Sequence, residues 1–189
     1  MSVPQYGLNK HADALKASVN NTGFREITVV TAADDSHTLT ASDGGTILIS
    51  AALAASSVIK LPEASQENVG LKFRILYTGT MATLSYIQLP NAGAAVFAGA
   101  VEVKRCATGS GVADAVAVNN VVMVTTVAQG EKSLKLDEND ESFGGSIGTD
   151  LTFEYVSPSV VLVGGHINFP TATTAIDAVQ STSFTATGY

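Results

Sequence analysis

The chain has 189 residues, of which 46% are apolar and 14% charged, and its formal net charge is −7. That size and composition exclude a disordered chain and fit one domain with short tails, able to bury a core without disulfides or metals. The acidic balance, with no basic stripe carrying interleaved aromatics, argues against a nucleic-acid partner.

Residues 1–25 read as an N-terminal arm. They are polar, contain Pro4 and Gly7, and sum to +2, so that the rest of the chain carries −9 of the total −7. Leu8, Ala12, Leu15 and Val19 could share one face of a short helix capped by Asn9. A helix that short is marginal alone in water and needs a partner to order it. Met1 to Tyr6 lacks the basic start and apolar run of a signal peptide. No stretch reaches the ~18 apolar residues of a membrane helix. A soluble protein made in the cytoplasm, with no membrane partner, is the expectation.

From residue 26 the period becomes that of strands. Glu26-Ile-Thr-Val-Val-Thr alternates, Thr38-Leu-Thr follows the turn-prone Asp34-Asp35-Ser36, and Ser42-Asp-Gly-Gly45 turns into Thr46-Ile-Leu-Ile. Val58-Ile-Lys-Leu is stopped by Pro62, and Leu71 to Tyr77 alternates large apolar with basic residues, as a strand with one wet face does. Later strands are expected near 82–89, 95–104, 120–127, 132–136, 150–156, 159–163 and 166–169, with a weaker one near 181–186. The runs Ala94 to Val101 and Asn120 to Val127 are almost continuously apolar, which suggests burial on two faces, as sandwich core or as a subunit seam. No helical pattern separates the strands and no repeat of 20–50 residues stands out, so a parallel α/β sheet and a solenoid are not expected. The expected architecture is all-β: an antiparallel jelly-roll-like sandwich or barrel over residues 26–170, flanked by the arm at 1–25 and a C-terminal strand or tail at 171–189.

Candidate chemistry is sparse. Gly144-Gly-Ser146-Ile-Gly148 matches a nucleophile elbow by letter, but that motif needs a strand before the serine and a helix after it. Here an acidic loop precedes it and the β-like Leu151-Thr-Phe-Glu-Tyr155 follows, so a serine hydrolase is a remote alternative and no enzyme is expected. The histidines are His11, His37 and His166; Asp35-Ser-His37 is adjacent in sequence, whereas catalytic triads converge in space. His166 reads as a strand or turn residue. A lone cysteine and the absence of an i, i+4 histidine pair leave no zinc signature. Cys106 follows Lys104 and Arg105, which would favour a thiolate, but it reads as a packed thiol. Asp137, Asn139, Asp140 and Glu141 form the one weak calcium candidate, since hard cations take such oxygens. Ser142 and Gly148 fall where an EF-hand needs Gly and Glu, so the plainer reading is a solvated acidic loop. No cofactor is expected.

One resemblance is carried by two blocks. The first runs from Thr28 to Tyr77 through Thr40-Ala-Ser-Asp-Gly-Gly-Thr-Ile-Leu-Ile, Val58-Ile-Lys-Leu-Pro and Gly70-Leu-Lys-Phe-Arg-Ile-Leu; the second runs from Gly148 to Gly165. Together they resemble the β-rich head-decoration (cement) and fibre-type proteins of tailed bacteriophages. The stretch that the two blocks bracket, 28–165, covers more than two thirds of the chain. The resemblance implies an all-β capsid accessory protein, commonly a homotrimer, that binds major capsid protein subunits on the virion surface through many contacts. It implies no catalytic residues. A fibre module binding host glycans is the alternative, with Tyr77, Tyr86 and Tyr155 as candidate sugar contacts.

Overall fold

The structure is a computed structural model that describes residues 28–30, 36–49, 57–79, 85–106, 121–136, 145, 147–170 and 184–189. The expected arm at 1–25, His11, the acidic residues 137–141, Ser146 and residues 171–183 lie outside the described residues. Among the described residues twelve strands follow in chain order: β1 (Thr28–Val30), β2 (Ser36–Thr38), β3 (Gly45–Ile49), β4 (Ser57–Lys60), β5 (Lys72–Tyr77), β6 (Ser85–Gln88), β7 (Val96–Cys106), β8 (Val121–Thr125), β9 (Ser133–Leu136), β10 (Asp150–Ser157), β11 (Val160–Pro170) and β12 (Phe184–Thr185). The only helical pieces among the described residues are single 3₁₀ turns at Ala41–Asp43, Gln66–Asn68 and Val127–Gln129. The fold is all-β.

The strands form two sheets. One has seven strands in the order β1-β3-β5-β10-β11-β7-β8, the other five in the order β12-β9-β6-β4-β2. Period-two alternation decides which side chains go between them. Phe73, Ile75 and Tyr77 of β5 are buried, while Lys72 and Arg74 face solvent; Leu151, Phe153 and Tyr155 of β10 repeat the pattern. These side chains meet Ile59, Leu61, Ile87, Leu89, Leu134 and Leu136 from the five-stranded sheet in one apolar cluster. Phe97 links the layers, its ring centroid 5.6 Å from Phe153 and 6.3 Å from Phe184.

Both sheets are mixed, which corrects the antiparallel expectation. β1-β3-β5 and β2-β4-β6 are parallel ladders, and β11 also runs parallel to β7. No α-helix separates the described strands, as expected, yet parallel ladders form all the same, because a parallel connection needs only some route back to the starting end. Here the route is a strand of the other sheet, as β1 to β6 alternate between the two sheets at each step. Nor do the described strands close a barrel: each sheet keeps two edges.

This winding hides a repeat that simple inspection of the sequence missed. Ile47 pairs with Ile75 and Ser57 with Ser85, both 28 residues apart. At that offset Ile47-Leu48, Ser57, Ile59 and Leu61-Pro62 recur as Ile75-Leu76, Ser85, Ile87 and Leu89-Pro90. Just beyond β2, β4 and β6, Leu39, Leu61 and Leu89 form a buried column. Its backbone is laced by Leu39 N–H donating to Lys60 O and Leu61 N–H to Gln88 O, each at 2.8 Å. The preceding turn has a different length (Val29 pairs with Leu48, His37 with Ile59), so the period does not extend to a third copy.

β11 is continuous where two strands were expected. Gly164-Gly165 reads as a break, but it is where neighbouring backbones come close: a Cβ at Gly165 would lie 2.1 Å from Asp150 O, and one at Gly99 the same distance from Val163 O. Both glycines have positive φ, 103° and 137°, which L side chains rarely adopt. The C-terminal residues join the body as well. β12 pairs with β9, Gly188 N–H donates to Asn91 Oδ1 at 2.7 Å, and Tyr189 Oη donates to Leu61 O at 2.9 Å.

Candidate functional site

The outward-facing side chains of the seven-stranded sheet divide it into two halves. On β5 and β10 the face is charged and paired. Arg74 makes a bidentate contact with Asp150, Nε to Oδ1 at 2.9 Å and Nη2 to Oδ2 at 2.6 Å, and Lys72 Nζ lies 2.8 Å from Glu154. Hydrogen bonds from Arg74 hold the Asp150 carboxyl below the usual carboxylate range. At one end the charged row continues onto β11 and β7, where His166 sits opposite both Asp150 and Glu102, and Lys104 Nζ lies 3.2 Å from Glu102.

On β11, β7 and β8 the rest of this face is neutral, small and apolar. Leu162 stands opposite Ala98, and Ala100 opposite Val124. Leu162 is 42% exposed, Val122 55% and Val124 61%, and Val156 of β10 is also exposed beside the bulge between Tyr155 and Ser157. Gly164, Ala98 and Ala100 contribute little or no side chain to this part of the face, where Leu162 and the valines are the larger groups. An apolar area of this kind, rimmed by charged residues, is what protein contact surfaces present.

Val122 and Val124 correct the reading of 120–127 as buried on two faces. Among the described residues β8 is the last strand of the sheet, and its outward valines are exposed. In the other apolar run Phe97 and Val101 do go inward, while Ala100 faces out.

The sequence-derived candidates are dispersed. Tyr77 and Tyr155 are core residues, 1% and 0% exposed, so neither can stack on a sugar at the surface. Tyr155 Oη donates to Pro62 O at 2.7 Å, and burial pushes both phenols well above their ordinary pKa. Tyr86 is half-buried on β6 opposite Lys135. His37 lies on β2 opposite Ile59. His166 is a strand residue, as expected. Cys106 ends β7, opposite Pro170. Asp43 closes the turn after β2: its Oδ2 accepts from Thr40 N–H and Thr40 Oγ1, both at 2.7 Å, and these bonds lower its pKa. The calcium candidates and Ser146 lie outside the described residues, and no cluster of His, Cys, Asp and Glu fit for a metal occurs among the described ones. No helix among them is long and apolar enough to cross a membrane.

The features that sequence reasoning missed are the exposed Leu162, Val122 and Val124. The available signal was the excess of apolar residues at alternate, outward positions of strands rich in glycine and alanine. A scan against protein-family models matches none, and neither the curated proteins nor the solved structures yield a match.

Proposed function

We propose that this chain is a structural protein of a virus particle, a capsid decoration or cement protein that binds coat subunits and stabilises the shell through many weak contacts. The observation that carries the reading is the outer face of the seven-stranded sheet, where exposed Leu162 and Val156 adjoin the paired charges of Arg74, Asp150, Lys72 and Glu154. A sheet face of that composition suits the surface of another folded protein better than a small ligand, and repetition over a symmetric shell multiplies modest affinity. The resemblance of the Thr28–Tyr77 and Gly148–Gly165 blocks to phage head-decoration proteins names the shell as partner. It also implies a homotrimer and a place on the capsid surface. Within the all-β class we read the body as a sandwich, jelly-roll-like only in that two sheets enclose one core; its parallel ladders set it apart.

The test is co-sedimentation of the purified chain with shells stripped of accessory proteins. Saturable binding is expected for the intact chain, with at least a tenfold loss for Leu162→Asp, whose charge would have to be desolvated in the contact. Deleting residues 1–25 is expected to leave the body folded but detached, because the arm orders on a neighbour. An intact chain that never sediments with shells over a full concentration series refutes the proposal.

A further inference from the structure

A glycine that follows an aspartate opens a chain to modification by its own backbone. The glycine nitrogen can attack the aspartate's side-chain carbonyl carbon, and the missing Cβ lets the two atoms approach freely. Asp43-Gly44 is the one Asp-Gly pair in the chain, and no Asn-Gly pair occurs. The fold has a use for both residues. Asp43 closes the 3₁₀ turn Ala41–Asp43, where its N–H donates to Thr40 O at 3.0 Å. A Cβ at Gly44 would lie 3.0 Å from Leu71 Cδ1, tighter than side chains ordinarily pack, and Leu71 rests in turn on the core.

The same turn aims the carboxylate away from its attacker. Asp43 Oδ2 accepts from Thr40 N–H and from Thr40 Oγ1, both at 2.7 Å, and Thr40 Oγ1 lies 2.7 Å from Ser42 Oγ. These bonds draw the side chain back toward a residue three positions earlier, whereas the attacking nitrogen belongs to the residue after it. Cγ can reach Gly44 N only when the carboxyl lets go of both donors. The bonds also favour the ionised carboxylate, holding it below the usual carboxylate range, and an ionised carboxylate has no hydroxyl to lose as water.

We propose that Asp43-Gly44 is a latent isoaspartate site, kept closed by the two hydrogen bonds from Thr40. The reaction needs no partner but water. Gly44 N forms a bond to Asp43 Cγ, the N–H proton and the hydroxyl of the neutral carboxyl leave as water, and a succinimide ring results. Water then adds to one of the ring carbonyls. Breaking the bond from nitrogen to Cγ restores aspartate. Breaking the bond from nitrogen to the main-chain carbonyl carbon leaves the chain running through Cγ, with the former main-chain carboxyl as the side group. That linkage lengthens the turn by one methylene, where the chain passes from β2 in the five-stranded sheet to β3 in the seven-stranded sheet. It also takes the carboxylate away from Thr40. The site is independent of attachment to a shell.

The test follows the intact chain during prolonged warm incubation at neutral pH, in water enriched in heavy oxygen. Peptides containing residue 43 are then fragmented by electron transfer, which tells the two linkages apart. The native wild type is expected to form isoaspartate there about a hundredfold more slowly than the same chain unfolded in guanidinium, about tenfold for each bond to the carboxylate. Thr40→Val, which loses the hydroxyl, should raise the native rate about tenfold, while Thr40→Ser, which keeps it, should stay within about twofold of the wild type. Far-UV circular dichroism checks that both variants fold. A native rate equal to the unfolded one, or a Thr40→Val rate no higher than that of Thr40→Ser, overturns the proposal. Should Thr40→Val misfold, the comparison of native with unfolded wild type still decides.

Discussion

Leu61 is the middle residue of the column that fastens successive turns of the winding, and replacing it with alanine tests whether that column is a principal part of the core. Its side chain is fully buried, between Leu39 at 1% and Leu89 at 0% exposure. Removing three carbons forfeits about 2.4 kcal/mol of transfer free energy at ~0.8 kcal/mol per methylene. The cavity adds to that, because the neighbouring leucines are held by ladder hydrogen bonds at their own backbones and cannot collapse far. A total of about 3–4 kcal/mol is expected, inside the range of about 2–5 kcal/mol for buried Leu→Ala changes. With a urea m value of ~2 kcal/mol/M, the unfolding midpoint should fall by about 1.5–2 M. Leu162→Ala is the control, because its side chain faces out at 42% exposure and should move the midpoint by less than about 0.5 M. Urea titrations followed by circular dichroism at one protein concentration give both numbers. If Leu61→Ala shifts the midpoint no further than Leu162→Ala, the column does not hold the turns together and the description of the core is wrong.

Other expectations follow from the same contacts. Gly99→Ala should cost about 3 kcal/mol or more in thermal unfolding, because its Cβ would collide with Val163 O at positive φ; Gly70→Ala, with open space around it, should cost only about 1–2 kcal/mol for its φ of 89°. Equal losses at the two sites would refute the close approach. The Asp150 carboxyl has a folded pKa below its ordinary value of 3.8, so its pairing with Arg74 stabilises the fold above that pH and the gain disappears as pH falls through the lower folded value. Asp150→Asn should therefore lower stability at pH 7, by about 1 kcal/mol since Arg74 is half exposed and solvent screens the pair, and leave it unchanged in strong acid; an equal loss at both pH values would contradict the pairing. In alkali the sign reverses. Tyr77 and Tyr155 keep their protons in the folded state above the ordinary value of 10.0, so stability present below that pH is lost as pH rises past it. Their phenolate absorbance, identified by difference from Tyr77→Phe and Tyr155→Phe, should appear only as the strand signal disappears, and its appearance in a folded sample would show them accessible.

Much of the strand content was legible because β-structure writes itself as alternation. Leu71 to Tyr77 announces one wet face, and Phe73, Ile75 and Tyr77 opposite it are buried; Leu151 to Tyr155, read simply as a strand, alternates in the same way. Strand direction was not legible. A side chain's period of two is the same in a parallel and an antiparallel ladder, and the layer change between β1 and β2 leaves no mark in composition. The 28-residue repeat escaped notice because it rests on a few buried positions, Ile59 with Ile87 and Leu61 with Leu89, while outward and loop positions differ freely. The glycine pair at 164–165 misled for a related reason: glycine marks both turns and close backbone approaches, and only the neighbouring strand decides which. The candidate site was half-visible. The run at 120–127 was recognised as apolar, but whether its outward face is covered depends on β8 ending a sheet, which is a property of topology.

The place of the β10–β11 hairpin bears on how the polypeptide is made. β5 and β7 leave the ribosome early, yet they are separated in the finished sheet by two strands that come much later in the chain. Until residue 170 has emerged, β5 and β7 have a vacancy between them two strands wide, about 10 Å at the usual strand spacing. The alternating turns of β1 to β6 can settle during translation, since their partners lie near in sequence. The seven-stranded sheet cannot. Its middle is the last part to arrive, so nascent chains arrested before residue 150 should remain sensitive to protease across β7, and that sensitivity should vanish only once the hairpin has slid home.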